Sequence, residues 1–353
     1  MLIVQIGCGV IGRELARQVL AQREALTQRY GFTLDYRALV DSSGALVGAP
    51  ALSPEAVQAG LRAKERGEAL NTLPGVQALT SWQELLPAEP CLVVDVTATS
   101  GMEAGLVAAV AAGHRVVLAN KRPLTAELTA FRALIDHGAT RYEATVGAGL
   151  PIIATLQALI DSGDELLRVE ASMSGTLGFL FSELEAGTPF SQAVRDAHAR
   201  GYTEPDPRED LGGADVARKA LILARTCGLA WDADAVRGEA LFPAAMSSLS
   251  VADFMAQLDQ LDADFDTSVG EAKAMGRVIR YVATITPEGA SVGPQSFPNS
   301  HPLASLRGPD NLFSFMTRRY NERPLVVRGP GAGAAVTAAG VLGDIVATAR
   351  EMT

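Results

Sequence analysis

Between Gly201 and Lys219 the chain reads GYTEPDPREDLGGADVARK, a stretch in which Glu204, Asp206, Glu209, Asp210 and Asp215 accompany Lys219. The prolines and the Gly212-Gly213 pair impose an irregular loop, with a helix expected from about Gly213. On that helix Asp215 and Lys219 stand four residues apart and share a face. The helix continues as the apolar run Ala220-Leu221-Ile222-Leu223-Ala224, so one face at least is buried. That burial argues against a merely solvated surface loop. A lysine in a low-dielectric site loses proton affinity and neighbouring carboxylates restore it, so such a pair can be tuned to carry a proton. The carboxylates can equally receive a substrate ammonium group, or together hold a divalent metal.

A second constellation stands at the N-terminus. Gly7-Cys8-Gly9-Val10-Ile11-Gly12 follows the apolar run Leu2–Ile6 and precedes a helical pattern carried by Leu15, Ala16, Val19 and Leu20. A strand, a G-x-G-x-x-G loop and a helix in this order form a dinucleotide-binding unit. Gly7 makes the tight turn, Gly9 lets the backbone approach a pyrophosphate, and Gly12 lets helix and strand pack closely. Val10 and Ile11 complete the loop, and the helix N-terminus offers N–H groups to the phosphates. Asp41 ends the next strand and can accept both ribose hydroxyls, which favours NAD over NADP. Arg37 and Lys64 are the cations that can instead reach a 2′-phosphate. Asp41-Ser42-Ser43-Gly44 is also good turn chemistry.

The elements that position these residues change character along the chain. Strands at Leu2–Ile6, Leu34–Val40, Cys91–Val96 and Arg115–Ala119 alternate with helices at Ser53–Glu68, Glu103–Gly113 and Thr125–His137. This order predicts a parallel Rossmann-type sheet. After Gly147-Ala148-Gly149-Leu150-Pro151 the pattern shifts to strands at Leu166–Met173 and Arg277–Ile285 with helices near 190–200 and 213–228. An α+β substrate and dimerisation domain with a mixed sheet, helices on one face, is expected there. Gly329-Pro330-Gly331-Ala332-Gly333 opens an apolar helix, Ala334–Thr348, that is expected to return to the first domain. The expected division is 1–147 with 325–353 for the nucleotide domain and 148–324 for the second.

Composition narrows the class. The chain has 353 residues, 48% of them hydrophobic and 20% charged, as in an ordinary globular enzyme of two domains. A net charge of -10 argues against a nucleic-acid binder, which needs a basic face to displace phosphate counterions. Cys8, Cys91 and Cys227 have neither CxxC nor metal-ligand spacing and read as buried, reduced thiols of a cytoplasmic protein. None stands where an acyl-enzyme nucleophile would be expected. The first residues lack a basic leader and a cleavage site, and no apolar run approaches the ~20 residues of a membrane span.

The 201–219 stretch resembles the signature of homoserine dehydrogenases, an EPDPxxDLxGxDxARK run. Other segments are similar to that family in order: Asn120-Lys121, the run Tyr142–Pro151, Gly175-Thr176-Leu177-Gly178, the Asn299–Asn311 segment and the tail Gly331–Asp344. The resemblance spans nearly the whole chain. It implies reversible NAD(P)-dependent oxidation of L-homoserine to L-aspartate 4-semialdehyde, in a short form without a fused aspartate kinase or C-terminal regulatory domain. By resemblance Lys219 is the acid–base residue and Lys121 a second functional lysine near the nicotinamide. Glu204 and Asp215 contact substrate, Asp210 shapes the site, and the N–H groups of Gly175 and Thr176 hold the substrate carboxylate. Thr97, Ala98, Gly331 and Gly333 match cofactor-contacting positions. Glu143, Val146, Ala148 and Leu150 match a Na⁺ or K⁺ site made largely of main-chain carbonyls, and a glycine-rich hinge without an ion is the alternative. A homodimer through the second-domain sheet is also implied. His114, His137 and His198 match no catalytic motif, and His301 is given a structural role. The segment Arg23–Gly31 lengthens the first helix beyond the usual fingerprint spacing. Two other readings stay open: a different two-domain amino-acid or semialdehyde oxidoreductase, and a nucleotide-sensing protein without catalysis.

Overall fold

The computed structural model describes residues 1–353, the side chain of His137 excepted. The chain divides into two compact units, Met1–Gly149 with Gly333–Thr353, and Leu150–Ala332.

In the first unit seven strands form one sheet: β1 (Leu2–Ile6), β2 (Asp35–Asp41), β3 (Gly44–Val47), β4 (Val76–Gln77), β5 (Leu92–Asp95), β6 (Arg115–Leu118) and β7 (Thr140–Arg141), in the order β4-β3-β2-β1-β5-β6-β7. Strands β2, β1, β5, β6 and β7 run parallel, and β3 and β4 are an antiparallel extension. The parallel strands are nearly all apolar because helices cover them: α1 (Val10–Tyr30), α2 (Pro54–Glu65), α3 (Glu103–Ala111), α4 (Arg122–Thr125) and α5 (Leu128–Ile135). Strand order reverses on either side of β1, and ligands of such sheets bind beside that point, outside the carboxyl ends of the strands. The lengthened first helix runs unbroken to Tyr30 and stops where Gly31 turns left-handed (φ 79°).

The second unit opens with α6 (Ile152–Asp161) and β8 (Leu166–Ser172). Helices α7 (Gly175–Ala186), α8 (Phe190–Ala199), α9 (Arg208–Leu211), α10 (Ala214–Thr226), α11 (Val251–Gln257) and α12 (Asp262–Ala274) follow. It ends with β9 (Arg277–Thr286), β10 (Gly289–Pro298), β11 (Asp310–Thr317) and β12 (Leu325–Pro330), after which α13 (Ala334–Met352) belongs to the first unit. Its sheet has the order β10-β9-β8-β11-β12, and each neighbouring pair is antiparallel. This corrects the expected mixed sheet; the parallel contact on this sheet is an isolated bridge, Gly238–Val292. The reason is connectivity: short connections join β9 to β10 and β11 to β12, and strands joined so pair antiparallel. Because β12 completes this sheet, residues 325–332 stand with the second unit and not with the nucleotide-binding one as the 325–353 boundary supposed.

The sheet presents different partners on its two faces. Tyr281 contacts Phe181 of α7, and its hydroxyl lies against Gly213 at the start of α10. On the alternate residues, Val278, Val282, Phe297 and Leu312 pack with Leu303 and Leu306 of the turn that follows β10.

Candidate active site

The glycine loop is held from below by a residue that the apolar pattern of β1 conceals. Gln5 is fully buried, and its Nε2 donates to the carbonyls of Gly7 (2.9 Å) and Gly12 (3.0 Å) while its Oε1 accepts from Tyr36 Oη (2.9 Å). A single polar residue in an otherwise apolar strand was the signal. Gly7 adopts φ 107°, which a side chain would strain, and a Cβ on Gly12 would fall 2.1 Å from the Gly7 carbonyl oxygen. A Cβ on Gly9 would meet nothing within 4 Å, so the backbone there faces open space. Helix α1 has no side-chain cap and no acid in its first turn. Open backbone, uncapped N–H groups and a positive dipole end fit a pyrophosphate.

Asp41 differs from the bare acceptor that its position suggested. One carboxylate oxygen accepts from Ser43 N and Oγ (2.8 and 2.6 Å), the other from Lys64 Nζ (2.8 Å) and Leu70 N (3.3 Å). Burial pushes its pKa up, but Lys64, Ser43 and Leu70 together outweigh burial and hold it below the usual carboxylate range. The turn reading of Asp41–Gly44 is also correct, since these residues pair across the β2–β3 hairpin.

After β5, Thr97 N–H donates to Asp95 Oδ1 (2.9 Å) and Thr99 N–H to Thr97 Oγ1 (3.2 Å). The Asn120 amide ties this turn together, lying 2.9 Å from Asp95 Oδ2, 3.2 Å from Thr97 Oγ1 and 2.9 Å from the Thr99 carbonyl. Asn120 and Asp95 thus shape the turn that carries Thr97 and the exposed Ala98, and place Lys121 at the head of α4.

In the second unit Lys219 is 9% exposed, and its Nζ donates to the Met173 carbonyl (2.7 Å) and pairs with Asp215 Oδ2 (2.9 Å). The expected face of α10 is therefore real, and the end of β8 supplies a second partner that sequence spacing could not reveal. Asp210 accepts from Glu204 N (2.8 Å) and contacts Thr176 Oγ1 (3.1 Å), which also reaches the Tyr202 carbonyl (2.5 Å). The threonine hydroxyl has one proton to share between these two acceptors, and burial pushes the Asp210 pKa up. Gly175 and Thr176 open α7, whose cap is Ser174 accepting from Leu177 N. Asp206 instead grips Arg208, which donates to the carbonyls of Ser247 and Leu249, a structural role. Among the described residues no three His, Cys, Asp or Glu side chains converge as a metal site would require.

Around the crossover, Glu143 N–H donates to the buried Asp344 of α13 (2.8 Å), and Val146 is buried. Ala148 holds φ 56°, and its carbonyl lies against Gly340, where a Cβ would approach to 2.4 Å. In the second unit the Leu150 carbonyl accepts from Ile152 N (2.8 Å). Gly331 is glycine for a packing reason, since a Cβ would fall 1.9 Å from the Asn311 side chain, and Gly333 opens α13 at φ 118°.

The three cysteines and His114, His198 and His301 make local contacts. Burial pushes each of the Cys8, Cys91 and Cys227 thiols up to about 12. His114 Nδ1 accepts Cys91 N–H (3.2 Å), and His198 meets Thr203 Oγ1 (3.0 Å). His301 Nδ1 accepts Leu303 N–H (3.3 Å), while its Nε2 lies 3.1 Å from Glu170. No helix among the described residues is long and apolar enough to cross a membrane.

Asp95 offers a pH test of this turn. Burial raises its pKa, and the bonds from Thr97 and Asn120 offset that only in part. The native state then keeps a proton that the unfolded chain has lost. The group favours folding at low pH, and its contribution is lost as pH rises from ~4 through the raised value. Denaturant unfolding of the wild type and Asp95→Asn across pH 4–8 should show the difference moving against the wild type with rising pH, then levelling. A difference constant across that range rejects the assignment.

A family model described as homoserine dehydrogenase matches residues 151–346, and one described as the homoserine dehydrogenase NAD binding domain matches residues 7–144. A homoserine dehydrogenase of Saccharomyces cerevisiae is 35% identical, the alignment covering 99% of this chain and 98% of that protein. A chloroplastic bifunctional aspartokinase/homoserine dehydrogenase of Daucus carota is 37% identical over 98% of this chain, but the chain spans 38% of that protein's length. A crystal structure of a protein of unknown function from Candida auris superposes with a TM-score of 0.87 at 32% identity, covering 99% of this chain and 98% of that one.

Proposed function

The chain belongs to the homoserine dehydrogenase family, and on that premise we propose that it catalyses the reversible NAD(P)-dependent oxidation of L-homoserine to L-aspartate 4-semialdehyde. The observation that carries this reading is the buried Lys219 ammonium held between the Met173 carbonyl and Asp215. Oxidising an alcohol takes a proton from oxygen while hydride leaves carbon, and the reverse reaction returns both. In reduction the Lys219 ammonium gives a proton to the aldehyde oxygen as hydride arrives at carbon, and in oxidation the neutral amine takes the hydroxyl proton as hydride leaves. The bound dinucleotide supplies the hydride acceptor. Glu204 and Asp215 receive the substrate ammonium, and Asp210 holds the Glu204 backbone in place. The N–H groups of Gly175 and Thr176 suit its carboxylate, at a helix N-terminus where a negative charge is favoured.

For the cofactor, Gly7, Gly9, Val10, Ile11 and Gly12 hold the pyrophosphate. Thr97, Ala98, Lys121, Gly331 and Gly333 serve the nicotinamide end, with Lys121 assisting the reaction. A homodimer through the second-unit sheet and a cytoplasmic location complete the reading, and light scattering of the full chain reads the assembly directly.

Absorbance at 340 nm, with L-homoserine and NAD or NADP over pH 7–10, reads the activity. Lys219→Ala should lower turnover at least ~100-fold, the scale of acid–base assistance, with cofactor affinity nearly kept. Turnover close to wild type would remove Lys219 from that role, and no cofactor reduction by the wild type at any of these pH values would sink the reading as a whole.

Cofactor choice turns on Lys64 as much as on Asp41. Lys64 neutralises the carboxylate that would repel a 2′-phosphate. We expect Lys64→Ala to shift the kcat/KM ratio at least ~10-fold toward NAD, about 1.4 kcal/mol. An unchanged ratio discounts both residues as selectors.

A monovalent cation at Glu143, Val146, Ala148 and Leu150 belongs to the same proposal, supported by the left-handed backbone at Ala148. Adding Na⁺ or K⁺ to enzyme in choline buffer should change rate or stability, and a flat response to both favours a hinge without an ion.

A further inference from the structure

A cavity of about 290 Å³ lies in the second unit, among the later turns of α7, the end of α12 and the start of β9. None of the residues assigned above to substrate or cofactor lines it. Phe181, Val269, Val278 and Ile279 form its apolar walls, and Lys273, Arg277 and Asn299 add polar groups. A 150 Å³ apolar cavity holds benzene, so this one has room for a ring or branched chain together with a charged group.

Its charge is one-sided. Glu185 is the carboxylate of the wall, and its oxygens are taken by Arg280 (2.5 Å) and Arg307 (3.1 Å). Among the lining residues the cations Lys273 and Arg277 thus stand against one acid that two further arginines already hold, in a chain whose net charge is -10. The Arg277 guanidinium donates through Nε to Ser296 Oγ (2.8 Å) and through Nη2 to the Ser296 carbonyl (2.5 Å), which fixes the group at the rim. A fixed guanidinium, a lysine and a side-chain amide beside apolar walls suit a planar anion carried on an apolar body.

We propose that this cavity is a second ligand site, for a small organic carboxylate with an aromatic or branched apolar body. Its wall also touches the machinery of the unit. Phe181 packs on Tyr281 (ring centroids 6.4 Å apart), and the Tyr281 hydroxyl, donating to the Glu239 carbonyl (2.7 Å), lies where a Cβ on Gly213 would stand 1.8 Å away. Gly213 caps α10, the helix of Asp215 and Lys219.

The test is isothermal titration of the full chain in low salt with phenylacetate. We expect one saturable site per chain with Kd below about 1 mM. Lys273→Met and Arg277→Met should each weaken binding at least ~10-fold without changing turnover at saturating substrate. Val269→Trp, which fills the cavity, should abolish binding. Benzylamine, with the body kept and the charge reversed, should give no saturable heat, and sulfate should bind at least ~10-fold more weakly than phenylacetate.

Absence of saturable phenylacetate binding overturns the proposal. So does equal binding by Lys273→Met and Val269→Trp, or by sulfate, which would mark a bare anion site. Binding lost in Lys219→Ala but kept in Lys273→Met would put the probe on the substrate residues and also overturn it. The binding test does not depend on the dehydrogenase reading, so failure of one leaves the other intact.

Discussion

A lysine ammonium removed from water must find acceptors, and the second unit is arranged around that requirement at Lys219. Leaving one such charge buried without a partner costs several kcal/mol, of order 3–5 for a broken buried pair. Two elements meet the need. Helix α10 brings Asp215 one turn below the lysine, and the end of β8 turns the Met173 carbonyl toward it. Strand β8 in turn is fixed between β9 and β11 near the middle of the sheet. The position of one nitrogen is therefore set by a helix and a central strand. The irregular loop before α10 is tied to the same place through Asp210, which holds both Glu204 N–H and the Thr176 hydroxyl at the start of α7.

The first unit solves the opposite problem. Its loop must leave backbone N–H groups unclaimed for a ligand while keeping one shape. Gln5 supplies the shape by bonding to the carbonyls of Gly7 and Gly12, and the Gly7 N–H adds a bond to the Val40 carbonyl (2.8 Å). Asn120 does the equivalent for the turn after β5. In both places an amide side chain ties a loop together through backbone carbonyls, a bond that leaves no trace in residue spacing.

Asp41 illustrates how a residue's place in a motif leaves its partners unstated. Its position at the end of β2 matches the ribose-binding acid of dinucleotide folds. The turn into β3, helix α2 and the segment after it then bring Ser43, Lys64 and Leu70 onto both of its oxygens. A carboxylate paired with an ammonium no longer repels a phosphate as a bare one does. The selectivity inferred from residue type alone is therefore weakened by a partner 23 residues away in sequence.

Much was legible in advance, because the signals were local. The strand–glycine loop–helix unit, the parallel strands, the extended α1 and the Asp215–Lys219 helix face all follow from periodicity, glycine placement and four-residue spacing. The existence of a second sheet was legible as well, but not its antiparallel pairing, since partner choice among distant strands leaves no local trace. The same limit holds for β12, whose membership of the second unit no local pattern reveals. Residue types and local spacing show which groups are available for chemistry and which elements carry them. Their partners come from the fold: Met173 for Lys219, Lys64 for Asp41, Gln5 for the glycine loop. Those partners are set by packing between segments far apart in the chain, where neither spacing nor composition reaches.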